Sequence, residues 1–250
     1  MIKDIEFFIK NIIFSEKFLL EKRLKRGLRK NYEKELQVID KFKDQERNAV
    51  DIGVYRGIYS YKLSKLFKHV HSFEPNPLIY PYLKKNLTKI IKNMTIENIA
   101  VSDSNGEIEL KIPNRNKSLF KNNYEELYKL GCATVHKSNK IYQYNKFLVK
   151  KVKLDDILIN ESISFIKIDV EGHEREVING SLNIIKKNKP IIMVEIEERH
   201  SGNPTDETIK LINNLGYESY FVKNNILEKT INLKNFNIEN NYFFVPIKEN

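Results

Sequence analysis

Residues 50–57 read Val-Asp-Ile-Gly-Val-Tyr-Arg-Gly, and Glu74 follows 23 positions after Asp51, in Phe73-Glu74-Pro75. An apolar run that ends in an acid and a glycine-punctuated turn predicts the first strand of a nucleotide-type α/β domain. A second strand ending in an acid about 20 residues on suits a ribose diol, because one carboxylate accepts hydrogen bonds from both hydroxyls. The turn is Asp-x-Gly-x-x-x-Gly and lacks the second glycine that lets a backbone approach a pyrophosphate. A nucleoside without a pyrophosphate fits it better than a dinucleotide, and S-adenosylmethionine (SAM) is such a ligand. Glycine at position 53 lets the backbone come close to it.

The rest of the chain repeats the alternation. Strands are expected over residues 49–54, 69–73, 94–101, 162–170, 190–196, 217–222 and 242–246. Helices are expected over 59–67, 78–90, 174–187 and 206–215, the last closed by Gly216. This predicts a parallel sheet with helices on both faces. The last two strands lack a helix between them, so an antiparallel pair is expected there. Residues 103–154 interrupt the pattern. Residues 107–112 and 147–154 read as partner strands after the Asn105-Gly106 turn. Between them lies a polar stretch with Asn114, Asn116, Lys117, Asn122, Asn123, Gly131 and Cys132, read as a lid or substrate-recognition insertion.

Residues 2–30 have helical periodicity, with Ile5, Phe8, Ile12 and Ile13 on one face and Phe18 to Leu20, Leu24 and Leu28 continuing the stripe. The opposite face is basic. It suits a membrane surface or a partner, whereas the apolar stripe suits packing on its own domain or a second subunit. The expected organisation is therefore an N-terminal helical extension over 1–44 and a domain over 45–250 with the insertion at about 103–154.

The formal net charge is +10 and the isoelectric point about 9.3. Such an excess invites an anionic partner, although Lys, Asn and Ile are abundant throughout. Cys132 is the only cysteine, which rules out an intramolecular disulfide framework and points to a reducing, cytoplasmic setting. No apolar run is long enough to span a membrane, and the start of the chain lacks a signal-peptide cleavage pattern.

Ligands of open parallel sheets bind beyond the strands' carboxyl ends. Here those ends carry Asp51, Glu74, Asn98, Asp169 and Glu195. The expected cofactor site takes Asp51, Gly53, Val54 and Gly57 from the first turn and Glu74 and Pro75 from the second. Asn98 and Ala100 flank the adenine, and Asp169 faces the methionine end. Asp169, Glu171 and His173, spaced by two, are the catalytic candidates. Asp169 holds the methionine end or the substrate near the methyl group, Glu171 or His173 takes a proton from the acceptor hydroxyl as general base, or the group binds a divalent ion together with Glu195, Glu197 or His200. No ligand spacing characteristic of a metal site is present, so no metal is expected. His69, His71, His136 and Cys132 read as structural.

Five segments together resemble the FkbM family of SAM-dependent methyltransferases. They are Val50 to Gly57, Phe73-Glu-Pro-Asn76, Asn98-Ile-Ala-Val-Ser-Asp103, Val152-Lys-Leu-Asp-Asp-Ile157 and Phe165-Ile-Lys-Ile-Asp-Val-Glu-Gly-His-Glu174. The resemblance spans roughly residues 45–200, and family loops often carry Asn where Tyr55 stands or close by. It implies a class I (Rossmann-like) methyltransferase fold with a seven-stranded, mostly parallel sheet and an antiparallel final strand. It also implies SAM as cofactor and O-methylation of a sugar, glycan or natural-product-like hydroxyl. The alternatives are an RNA methyltransferase or a non-catalytic SAM-binding protein. The acidic strand ends argue against a phosphate-backbone partner. Peripheral membrane contact through residues 1–30 and a homodimer are further expectations.

Overall fold

The computed structural model describes residues 14–30, 33–113, 133–135, 144–198, 204–230 and 239–248. The helical reading of residues 2–13, the polar stretch from Asn114 to Cys132, His136 and His200 lie outside them. Helix α1 (Glu16–Lys30) and the short α2 (Glu35–Val38) precede β1 (Asn48–Ile52), α3 (Ile58–Leu63), β2 (Val70–Phe73), α4 (Tyr80–Ile90) and β3 (Met94–Glu97). Three strands follow, β4 (Ala100–Val101), β5 (Gly106–Pro113) and β6 (Tyr144–Val152), then α5 (Leu154–Leu158) and β7 (Ile163–Ile168). The chain continues through α6 (Glu174–Asn179), α7 (Leu182–Asn188), β8 (Ile191–Glu195), α8 (Thr205–Asn213), β9 (Tyr217–Lys223), β10 (Ile226–Lys229) and β11 (Asn241–Pro246).

The main sheet has eight strands in the order β10-β9-β11-β8-β7-β1-β2-β3. Strands β3, β2, β1, β7 and β8 run parallel, and β11 is antiparallel to both β8 and β9. The expected antiparallel final strand is therefore present, with the penultimate strand of the sequence reading outside it. The seven expected strands gain an eighth. Strand β10 folds back on β9 through Asn224 and Asn225, both at positive φ. Asn tolerates the left-handed region better than most residues, so a two-residue hairpin forms there.

Both faces of the sheet are covered, and every residue of β1 and β7 is buried, the charged Asp51 and Lys167 included among the apolar ones. Side chains still alternate between two cores. Phe165 and Phe243 face α1 to α4, together with Leu20, Leu24, Leu83 and Leu87. Ile166, Ile168 and Phe244 face the other side, against Val177, Ile184 and Ile209. Leu20 and Leu24 of α1 are almost fully buried, so the apolar stripe of this helix packs on its own domain.

Two expected elements are broken, each for a visible reason. The strand read over 94–101 divides at Asn98, whose side-chain amide donates to the Glu74 carbonyl at 2.8 Å. That bond turns the chain out of the main sheet, and β4 joins a second sheet of order β4-β6-β5. Strands β5 and β6 form the expected antiparallel pair, Gly106 opposite Lys151. The helix read over 174–187 divides at Gly180-Ser181. A Cβ at Gly180 would lie 1.9 Å from the Ser102 carbonyl oxygen, so the second sheet sits directly on the glycine backbone. Asp155 then accepts from the Asn183 and Ile184 backbone N–H groups at 2.9 Å and caps α7, which gives the Leu-Asp-Asp motif a structural role.

Replacing Leu24 by Ala should lower stability by about 2–5 kcal/mol. The measurement is the urea midpoint at unchanged slope. An unchanged midpoint would mean that residues 1–44 are an appended extension with no share in the core.

Candidate functional site

A cavity of about 300 Å³ opens beyond the carboxyl ends of β1, β2, β7 and β8, where an open α/β sheet places its ligands. The β1 turn is held by geometry that only its sequence allows. Gly53 has φ +86°, and a Cβ there would lie 1.8 Å from the Asp169 carbonyl oxygen. Gly57, at φ +75°, opens α3 against the Leu87 side chain. Tyr55 is left-handed at φ +47°, a conformation that Asn adopts more readily than Tyr. Arg56 stacks over the Tyr55 ring at 4.8 Å.

Glu74 ties this turn to the next. Its carboxylate accepts from the Tyr55 N–H and from the Asn76 N–H, each at 2.9 Å, and it lines the cavity. Burial pushes its pKa up to about 7, against the pull of those two N–H donors and of Lys167. Each carboxylate oxygen has a second lone pair, so two acceptor sites remain for a ligand.

Beneath the cavity lies Lys167, 3% exposed. Its ammonium donates to the Gly53 carbonyl at 2.9 Å and to Asp169 at 3.0 Å, lies 3.7 Å from Asp51, and sits over the Tyr59 ring. Burial opposes its charge, but Asp169 and Asp51 outweigh burial and raise its pKa. Asp51 is fully buried and also accepts from the Ser60 hydroxyl in α3. Glu195, at the end of β8, hydrogen-bonds Asp169. Its pKa is pushed up to about 9, first by burial and then by the adjacent Asp169 charge. Burial and the Asp169 charge thus favour the protonated form of Glu195 beside Asp169, which is paired with the Lys167 ammonium.

The wall opposite is formed by residues 169–173 and the second sheet. Glu171, at φ +55°, and Gly172, at φ +103°, turn the chain sharply, so the extended geometry that would aim Asp169, Glu171 and His173 alike does not form. All three nevertheless line the cavity. His173 places Nε2 2.9 Å from the Ser102 hydroxyl and Nδ1 3.5 Å from Glu176. The Thr134 hydroxyl donates to the Glu171 carbonyl at 2.6 Å. Ile79, Ile99, Ala100 and Leu110 supply an apolar side.

Of the expected cofactor residues, Gly53, Glu74, Pro75, Ala100 and Asp169 line the cavity. Asp51, Val54, Gly57 and Asn98 stand behind it and shape its loops. Sequence reasoning placed Glu195 among the acids at the strand ends without a cofactor-binding role, and left Lys167, Glu33 and Tyr59 outside the site. A lysine inside the apolar run Phe-Ile-Lys-Ile was the available signal for Lys167, since a buried cation needs carboxylates around it. Nothing local marks Glu33, which the fold brings to the cavity and which accepts from the Tyr59 hydroxyl. His69, just before β2, and His71 within it have their rings 4.8 Å apart and tilted by 57°, and neither lines the cavity. Among the described residues no group of His, Cys, Asp and Glu could hold a metal ion.

The sequence profile of the methyltransferase FkbM domain matches residues 51–219. A search of curated proteins found no match. Among solved structures, the chain is similar to a methyltransferase FkbM from Methylobacillus flagellatus KT, with a TM-score of 0.50 and 16% identity over 79% of this chain. It spans only 43% of that chain's length, and the likeness is one of fold. A precorrin-6y C5,15-methyltransferase from Geobacter metallireducens GS-15 has a TM-score of 0.41 and 11% identity, covering 84% of each chain. A TehB-like SAM-dependent methyltransferase from Corynebacterium glutamicum ATCC 13032 Kitasato has a TM-score of 0.39 and 11% identity, covering 93% of this chain and 99% of its own. With the profile covering well over half of its residues, the chain belongs to the FkbM methyltransferase domain family.

Proposed function

We propose that the protein is a SAM-dependent O-methyltransferase that acts on a hydroxyl of a sugar, glycan or natural-product-like small molecule. The observation that carries this reading is the buried Glu74 carboxylate, fixed by two backbone N–H groups on the cavity wall and still able to accept two more hydrogen bonds. The residues present fit SAM along its length. Glu74 would hold the ribose diol, and Ile99 and Ala100 would lie along the adenine. Asp169 and its neighbours would face the cationic methionine end. When bound, SAM supplies an electrophilic methyl group on a positively charged sulfur.

The chain's own residues then position two reactants and move one proton. An alcohol stays protonated at neutral pH, so a nearby base assists attack by its oxygen. Asp169 suits that role. One of its oxygens is held by Lys167, its side chain is 27% exposed, and it stands at the cavity floor. Glu195, protonated beside it, would fix its orientation. Both ring nitrogens of His173 already face Ser102 and Glu176, which suits a positioning role for the wall more than proton transfer. Carboxylates near the sulfonium stabilise bound cofactor as well as transition state, so their charge alone need not speed the step.

Release of S-adenosylhomocysteine (SAH) during incubation with SAM and a panel of sugar and glycan acceptors tests the reaction. No release above the acceptor-free rate, with SAM bound, would exclude this acceptor class. Asp169→Asn should lower kcat by roughly 10²–10⁴-fold, while SAH affinity by calorimetry changes far less. Equal losses in both would make Asp169 a binding residue only.

SAH affinity also reports on Glu74. Only the ionised carboxylate accepts both diol protons, so affinity should rise with pH to about 7 and then flatten. Below that point it should fall about tenfold per pH unit. Glu74→Gln should abolish this dependence and weaken SAH binding roughly tenfold or more. Unchanged affinity in a folded variant would refute the ribose assignment.

A further inference from the structure

The positive charge of the chain is concentrated. Helix α1 carries seven Lys and Arg against two Glu in 15 residues, about half of the chain's formal net charge of +10. Compositional bias would spread the excess evenly, so this helix is set apart. Its apolar stripe is spent on the domain core through Leu20 and Leu24. The outward stripe runs Phe14, Phe18, Lys22, Lys25 and Arg29, spaced four, four, three and four residues, which places them on one face. The two aromatic rings stack on each other 4.9 Å apart and are 41% and 46% exposed.

Both acids of the helix are already matched. Glu16 pairs with Lys85 of α4 at 2.9 Å, and Glu21 pairs with Lys25 at 2.6 Å. Phe18, Lys22, Lys25, Arg26 and Arg29 line a shallow surface groove together with Glu21. Of the carboxylates that line the cavity, Glu74, Asp169, Glu171 and Glu195 lie elsewhere, at or just after the ends of β2, β7 and β8, and Glu33 lies beyond the end of α1. The molecule thus separates an acidic cavity from a basic helix face tipped with phenylalanines. The sequence that leads into Phe14 continues the apolar character with Phe7, Phe8, Ile9, Ile12 and Ile13.

We propose that the outward face of α1 docks the protein on an anionic lipid surface, its Lys and Arg against phosphate headgroups and Phe14 and Phe18 at the acyl boundary. Charge complementarity selects an anionic partner, and the two phenylalanines, stacked on each other and exposed beside the cations, suit the apolar boundary beneath a layer of headgroups. Cations near an acidic leaflet strengthen binding while exposed phenylalanines enter the interface. The fold has already used the apolar stripe of the helix, so the attraction is chiefly electrostatic and sensitive to salt.

Vesicle co-sedimentation tests this with the full chain, comparing phosphatidylcholine alone with phosphatidylcholine mixed with phosphatidylglycerol. Binding to the mixed vesicles only, weakened by added salt, is expected. Each cation near the surface multiplies affinity on the order of fivefold. The exposed triple change K22Q/K25Q/R29Q should therefore weaken binding at least tenfold, with an unchanged thermal melt. F14A/F18A should weaken it further without altering the salt dependence. K146Q/K150Q, on the second sheet, should bind as the parent does. The proposal is overturned by absent binding to mixed vesicles at low salt or by equal binding to both compositions. A triple variant that binds as well as the parent, or RNA that displaces the protein from vesicles through the same three residues, overturns it too.

Discussion

The ammonium of Lys167 is the contact on which the site depends. Four groups from three segments converge on it: the Gly53 carbonyl, Asp51, Asp169 and the face of Tyr59. A buried cation is tolerated only when such partners offset the loss of water, and removing one leaves charge stranded in a low-dielectric interior. The network therefore fixes the distance between the β1 turn and the end of β7. Gly53 completes the arrangement, since any side chain there would collide with the Asp169 carbonyl. The cavity floor is in this sense a single electrostatic assembly.

Glu74 adds the second constraint. The same carboxylate holds two loops together and faces the cavity, so on the proposed reading folding and ligand recognition draw on one group. Its desolvation raises the free energy of the charged form in the absence of a ligand. Donors from a ribose diol would relieve that cost, as pre-organised sites generally do. The neighbouring pair, Glu195 and Asp169, divides its labour differently. Burial and the neighbouring charge favour the protonated form of Glu195, which lets two acids stand side by side without full repulsion.

The second sheet gives the cavity its other wall. Asn98 diverts the chain from β3, Gly180 lets the second sheet approach α6 and α7, and Thr134 bonds Glu171 across the gap. The interruption read over 103–154 is thus built into the site through its edges, β4 to β6, which carry Ala100 and Leu110 to the cavity.

The sequence by itself determined the alternation of strands and helices, the antiparallel final pair, the glycine turn after β1 and the acids at the strand ends. These are local facts, written in hydrophobic period and in glycine or acid placement. Tertiary structure decided what those acids do. Asp51 looks like a ligand-facing residue in the sequence but turns inward to Ser60 and Lys167. Asn98 braces a loop, and Glu33 reaches the cavity from beyond α1. The breaks at Asn98 and Gly180 likewise arise from contacts with segments distant in the chain. Periodicity reports which face of an element is apolar, whereas the partner of a buried charge is set by which elements the sheet brings together.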